Sequence, residues 1–239
     1  MRRPWPSRGP GGLLLPSLLL VAALAVHGAK RVDEAVQDRL FDFESKTWCV
    51  DSRAAAPRAL FYRGPKIAYA ALALLLAVRL AVRRPLPAFL FSRREACYLL
   101  LCLLIVPATV GTIKRATAVP CPWEVDRYGG ELGHRTLFSP PPAAAGRAGH
   151  CFPAAHASGG FALLAFAFVA RDARRRRFAA VLGCAVGATL ATYQTLRGAH
   201  YLSHTLVTML LAWLVVAALA RLLGLGDPAA PELGQGSET

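Results

Sequence analysis

Residues 201–223 read YLSHTLVTMLLAWLVVAALARLL, and the only Lys, Arg, Asp or Glu among them is Arg221, near the end. An α-helix rises about 1.5 Å per residue, so about 20 apolar residues cross the ~30 Å hydrocarbon layer of a bilayer. This stretch is therefore read as a transmembrane helix. Five more apolar stretches precede it, at 12–29, 67–82, 96–113, 157–170 and 178–196. The expected fold is all-α, a polytopic membrane protein with about six transmembrane helices in a bundle.

The rest of the composition fits that frame. Of 239 residues 55% are hydrophobic, yet 28 Lys and Arg against 14 Asp and Glu leave a formal charge of +14. A basic chain invites a nucleic-acid reading, because Lys and Arg neutralise phosphates. Here the bases stand in short clusters between uncharged runs, not along one polar face, so no nucleic-acid partner is expected. Short basic loops remain cytoplasmic. Arg83, Arg84, Arg93 and Arg94 lie between the second and third stretches, and Arg171 and Arg174 to Arg177 between the fourth and fifth. Those connections and the N-terminus are placed inside.

That orientation divides the chain. Residues 1–29 form a cytoplasmic N-terminus and first span, and 30–66 an outer loop. Residues 67–223 form the membrane core, with an outer loop at 114–156, and 224–239 a disordered inner tail. The first span fits an uncleaved anchor better than a cleaved signal peptide, because His27 stands where cleavage favours a small residue. Cys49, Cys121 and Cys151 fall in outer loops. A Cys121–Cys151 disulfide is the favoured pairing, with pairing through Cys49 or three free thiols as alternatives. The chain has no CxxC pair, so no structural zinc site is expected.

Polar residues of catalytic type gather at the predicted outer ends of the spans. Lys114 closes the third. His150 and His156 precede the fourth in GHCFPAAHASGG. Arg197, His200 and His204 open the sixth in LRGAHYLSH. His200 and His204 are four apart and share one helix face. Helix N-termini attract anions through unpaired N–H groups and the positive end of the dipole. Two histidine-bearing helix starts beside Lys114 and Arg197 thus suggest a phosphate pocket. The same two histidines also suit zinc, with His156, Cys121 or Cys151 completing a site, although no metal is expected.

These stretches resemble the three signatures of the type 2 phosphatidic acid phosphatase superfamily: Lys-x6-Arg-Pro, Pro-Ser-Gly-His and Ser-Arg-x5-His-x3-Asp. Lys114 with Cys121-Pro122 is similar to the first, with Cys in place of Arg. Pro153-Ala154-Ala155-His156 is similar to the second, with Ala-Ala for Ser-Gly. His200-x3-His204 is similar to the third, with His204 for Asp and Gln194 for Arg. A bacterial branch carrying Cys-Pro-Trp, Phe-Pro-x-Gly-His-Ala-Ser-Gly-Gly-Phe and Arg-Gly-Ala-His-Phe-x-Ser-His segments resembles this spelling further.

The resemblance implies a hydrolase of phosphate monoesters or diphosphates on lipids, with no cofactor. It would act at the outer face of a bacterial inner membrane. The partners implied are a lipid phosphate substrate and the membrane. His200 would attack phosphorus to give a phosphohistidine, and His156 would be the general acid and then the base. Lys114 and Arg197 would bind phosphoryl oxygens, and His204 would orient His200. A lipid phosphotransferase and a non-catalytic member are the alternatives.

Overall fold

The computed structural model describes residues 11–28, 31–82, 91–140 and 149–225, and they are mainly helical. The fold is all-α, as expected. In chain order the helices are α1 (Gly11–Gly28), α2 (Arg31–Asp38), α3 (Ala55–Ala81), α4 (Arg93–Ala116), α5 (Ala155–Val169), α6 (Ala173–Leu196) and α7 (Leu202–Leu222). A short antiparallel hairpin, β1 (Phe41–Asp42) and β2 (Thr47–Trp48), pairs Phe41 with Trp48. Among the described residues, α3, α4, α6 and α7 are long and apolar enough to cross a membrane, and α1 with α2 makes a fifth if the pair is one bent span. The expected count of six is not reached among the described residues, because α5 has only 15 residues, about 22 Å of helix, and α1 counts only together with α2. Helix α5 is the inner helix of the bundle, packed against α4, α6 and α7.

Local chemistry sets the boundaries. Ser92 starts α4 with a capping box: its hydroxyl accepts the Glu95 N–H, and the Glu95 carboxylate accepts the Ser92 N–H at 2.8 Å. Asp172 starts α6 by accepting the Arg175 N–H at 2.8 Å. The helix α3 begins at Ala55, ahead of the apolar stretch that starts at residue 67, and passes through a π-helical turn at Ala59–Arg63. Arg58, Arg63 and Lys66 hid this extension in the sequence. Long basic side chains at a helix end lay their stems along apolar surface and turn their charge to the interface.

Pro107 lies inside α4 and has no N–H for the Leu103 carbonyl. The Tyr69 hydroxyl of α3 donates to that carbonyl instead, at 2.6 Å. Glycines bring α5 and α6 together: a Cβ on Gly160 would lie 2.6 Å from the Gly187 Cα, and one on Gly183 would lie 2.8 Å from the Leu164 nitrogen. Such close approach suits helices in lipid, where contact area and not water exclusion drives association. Gly198, at φ +68°, ends α6 and turns the chain toward α7.

The two ends of the bundle differ. At one, Arg79 donates to the Phe91 carbonyl, Arg93 to Val82 and Arg94 to Leu223. The other carries the hairpin, the 3-10 turns Pro122–Glu124 and Asp126–Tyr128, and the polar residues of the motifs. There Phe41, Trp48 and Tyr128 form an aromatic cluster. Asp38 holds α2 to it, accepting two bonds from the Arg127 guanidinium at 2.8 and 2.7 Å and one from the Tyr128 hydroxyl. The expected tail falls outside the described residues beyond Leu225, as do Arg2, Arg3, Arg8, Arg83 and Arg84 of the inner clusters.

Candidate active site

Cys121 and Cys151 are disulfide-bonded, joining the loop after α4 to the segment before α5. The bond lies against the connection from α6 to α7, with Cys151 Sγ 3.3 Å from His200 Nδ1. His200 is only 5% exposed. Burial first, then the positive charge of Lys114, the His156 imidazole and Arg197, push its pKa down to about 3, so its ring is neutral at pH 7. Three of the expected residues are thus close enough to act electrostatically on the fourth.

His156 stands in the first turn of α5. Its Nε2–H donates to the Phe61 carbonyl at 2.8 Å, and its ring stacks on Tyr62 with centroids 4.8 Å apart. Lys66 Nζ lies 4.0 Å from the centre of that Tyr62 ring. The sequence reading placed these three residues in an outer loop and missed them. They follow from the early start of α3, and the close spacing of two aromatic and two basic residues in FYRGPK was the available signal.

Arg197, at the end of α6, lies 5.7 Å from the Tyr193 ring, and its Nε has no hydrogen-bond partner. It also lines a cavity of about 660 Å³ with Lys46, Arg53, Trp48 and Trp123. Lys114 is in the last turn of α4. Glu124 accepts the Cys121 N–H and Asp126 the Arg127 N–H, so each of these acids has a local backbone partner.

His204 is completely buried and edge-on to Phe152 and Tyr201. Its ring centroid is 6.0 Å from that of His200, and neither of its nitrogens has a hydrogen-bond partner. Cys151 Sγ and one nitrogen each of His200 and His204 lie within 4.8 Å of one another, a donor set of the type that holds a metal. His150 instead donates to the Thr117 carbonyl at 2.8 Å.

The N-terminal helices complete this end of the bundle. Asp33, 3% exposed, accepts the Ser203 N–H at 2.9 Å and the Ser203 hydroxyl, so a carboxylate from α2 caps α7. His27 Nδ1 lies 3.0 Å from Ser203 Oγ, its Nε2 accepts the Leu137 N–H, and its ring stacks on Phe152. Gln37 donates to the His200 carbonyl at 2.9 Å. In the sequence His27 stands apart from the histidine motifs; the fold brings it among them.

A bundle with several apolar helices, one end of which gathers His156 and His200 with Lys66, Lys114 and Arg197, has the make-up of a multi-pass membrane protein. The family comparison narrows that class: the model of the PAP2 superfamily, the type 2 phosphatidic acid phosphatases, matches residues 95–225. The chain belongs to this superfamily, which supports phosphatase-type activity. No curated protein and no solved structure matches it.

Proposed function

We propose that the chain is a lipid phosphate or diphosphate phosphatase acting through a phosphohistidine at the outer membrane surface. One observation carries the lipid part. A cavity of about 340 Å³ opens between α3, α4, α5 and α6, walled by Tyr69, Leu72, Pro107, Leu163 and Leu190, with Lys66 and His156 also on its wall. An acyl or prenyl chain fits the apolar wall while its phosphate meets the cations. The lipid need not leave the bilayer.

The chemistry follows from the free atoms. His200 Nδ1 faces the disulfide sulfur, so Nε2 is the nitrogen that attacks phosphorus. Lys114 and Arg197, aided by Lys66, stabilise charge on the phosphoryl oxygens. The Nε2–H of His156 is engaged by the Phe61 carbonyl, so the acid is the imidazolium, which gives its Nδ1 proton to the leaving oxygen. Burial lowers the His156 pKa, which favours that transfer and leaves a neutral Nδ1 to take a proton from water. The phosphohistidine is then hydrolysed and His200 is restored. His204 and the disulfide limit how the His200 ring can turn. The basic end bearing Arg79, Arg93, Arg94 and Arg171 is assigned to the cytoplasm, which sets the site on the periplasmic or exterior side. Transfer of the phosphoryl group to a second lipid is the other reading, favoured by the larger cavity beside Arg197.

The test uses purified protein, a chelator and a panel of lipid phosphates. His200→Ala is expected to lower phosphate release by about 10³-fold or more. Acid-labile phosphate label should be trapped on His200 in the native chain, and the acceptor, water or lipid, separates hydrolysis from transfer. Unchanged release in His200→Ala overturns the enzymatic reading.

A further inference from the structure

The Cys151, His200 and His204 triangle has the dimensions of a metal site. Tetrahedral zinc takes sulfur at about 2.3 Å and imidazole nitrogen at about 2.0–2.1 Å, which sets ligand atoms roughly 3.3–3.6 Å apart. Cys151 Sγ and His200 Nδ1 are already 3.3 Å apart, and the His204 donor completes a triangle with no side above 4.8 Å. His204 lies in the first turn of α7, whereas His200 lies in the connection two residues before the helix begins, so the expected shared helix face is replaced by a turn that brings the two rings together.

A second observation points to a ligand. His204 is 0% exposed, yet both its ring nitrogens lack partners, an arrangement that desolvates a donor and an acceptor without compensation. The missing element is an anionic sulfur. With Cys151 bonded to Cys121, its Sγ is not a thiolate, and two imidazoles alone hold a cation weakly.

We propose that Cys151, His200 and His204 form a latent site for a thiophilic divalent cation of the zinc class, closed by the Cys121–Cys151 disulfide and opened by its reduction. The reductant is a dithiol. It gives two electrons and two protons, the Cys121–Cys151 S–S bond breaks, and the dithiol leaves as its own disulfide. Cation binding then forms a metal–sulfur bond and releases the Cys151 thiol proton to solvent, while each neutral imidazole gives a lone pair. A water takes the fourth position, as in three-ligand zinc sites. A cation on His200 Nδ1 leaves the proton of the neutral imidazole on Nε2, which then has no lone pair for phosphorus, so the site is a brake on the phosphatase. That last consequence rests on the proposed function; the metal site does not.

Cobalt reads the site directly, through the near-ultraviolet absorption of a cobalt–thiolate bond and the visible bands of tetrahedral geometry. Cys121→Ser leaves Cys151 free, whereas Cys151→Ser removes the donor. Both lose the disulfide and keep the other cysteines. One equivalent of tetrahedral cobalt is expected in Cys121→Ser and none in Cys151→Ser, with His204→Ala in the Cys121→Ser background losing the signal. The native chain should bind cobalt only after a phosphine reductant, which takes the oxygen of water as it converts the disulfide to two thiols. If Cys121→Ser does not fold, the reduced native chain compared with reduced His204→Ala carries the test. Equal spectra in the two cysteine variants, or no tetrahedral cobalt in either Cys121→Ser or the reduced chain, overturn the proposal. Zinc should then inhibit the reduced enzyme by about tenfold or more and leave the oxidised enzyme unaffected. Cobalt bound to Cys151 without any loss of lipid phosphatase activity supports the site and overturns the role of His200 instead.

Discussion

At the scale of single residues, the neutral imidazole of His200 links acid to stability. An unfolded histidine has a pKa of about 6.5, whereas the buried ring is held at about 3. Between those values the unfolded chain binds a proton that the folded chain does not, so stability increases with pH across this window and is lost as pH falls through it. The melting temperature in detergent should therefore drop from pH 7 to pH 4, and His200→Asn should flatten that slope. Identical slopes in the two proteins would show that His200 is not the group responsible. Asp33 shows what a motif reading cannot reach. It stands 170 positions before Ser203, and nothing periodic in RVDEAVQD announces that its carboxylate will cap α7. The nearness of Lys114 and Arg197 to His200 was legible because the motifs place all three at the same ends of the helices, and the Cys121–Cys151 pairing because few outer cysteines compete.

Among elements, the contact between α3 and α4 illustrates how one helix repairs another. Pro107 leaves the Leu103 carbonyl without its N–H donor, and Tyr69 supplies a hydroxyl. Tyr69→Phe should destabilise the bundle by about 1–2 kcal/mol, the cost of leaving a buried acceptor unpaired. In Pro107→Ala the backbone again offers an N–H, so adding Tyr69→Phe there should cost less. Thermal denaturation of the four proteins in this cycle measures the coupling, and additive losses would exclude it. The helices α4, α6 and α7 were readable from hydropathy, since their apolar runs are long. The start of α3 was not, because Arg58, Arg63 and Lys66 interrupt the pattern just where the helix rises to meet His156. The bounds of α5 were close to those read from the sequence, but its role as a span was not legible: an apolar stretch reads alike in a spanning helix and in a short one enclosed by its neighbours.

For the whole molecule, the proposed orientation rests on the partition of charge. Fourteen Lys and Arg fall on each assigned side, against five acids inside and nine outside. Inside, the bases are crowded into short connections, and that crowding governs insertion. A single cysteine placed at Ser92 in a cysteine-free chain should be protected from a membrane-impermeant maleimide in intact cells, and one placed at Ser52 should react. The reverse pattern would invert the topology and put the candidate site in the cytoplasm. The N-terminal helices also matter at this scale. The family match begins at residue 95, yet His27, Asp33 and Gln37 hold the residues around His200 from outside it.

That embrace has a consequence for biogenesis. The helix α1 is made and delivered to the bilayer well before α7, the element it packs along and whose first turn its neighbour α2 caps. Until synthesis reaches Ser203, His27 and Asp33 have no such partner. The pocket therefore matures only in the last stage of insertion, so a ribosome stalled before α7 leaves an inert intermediate, never a half-working one.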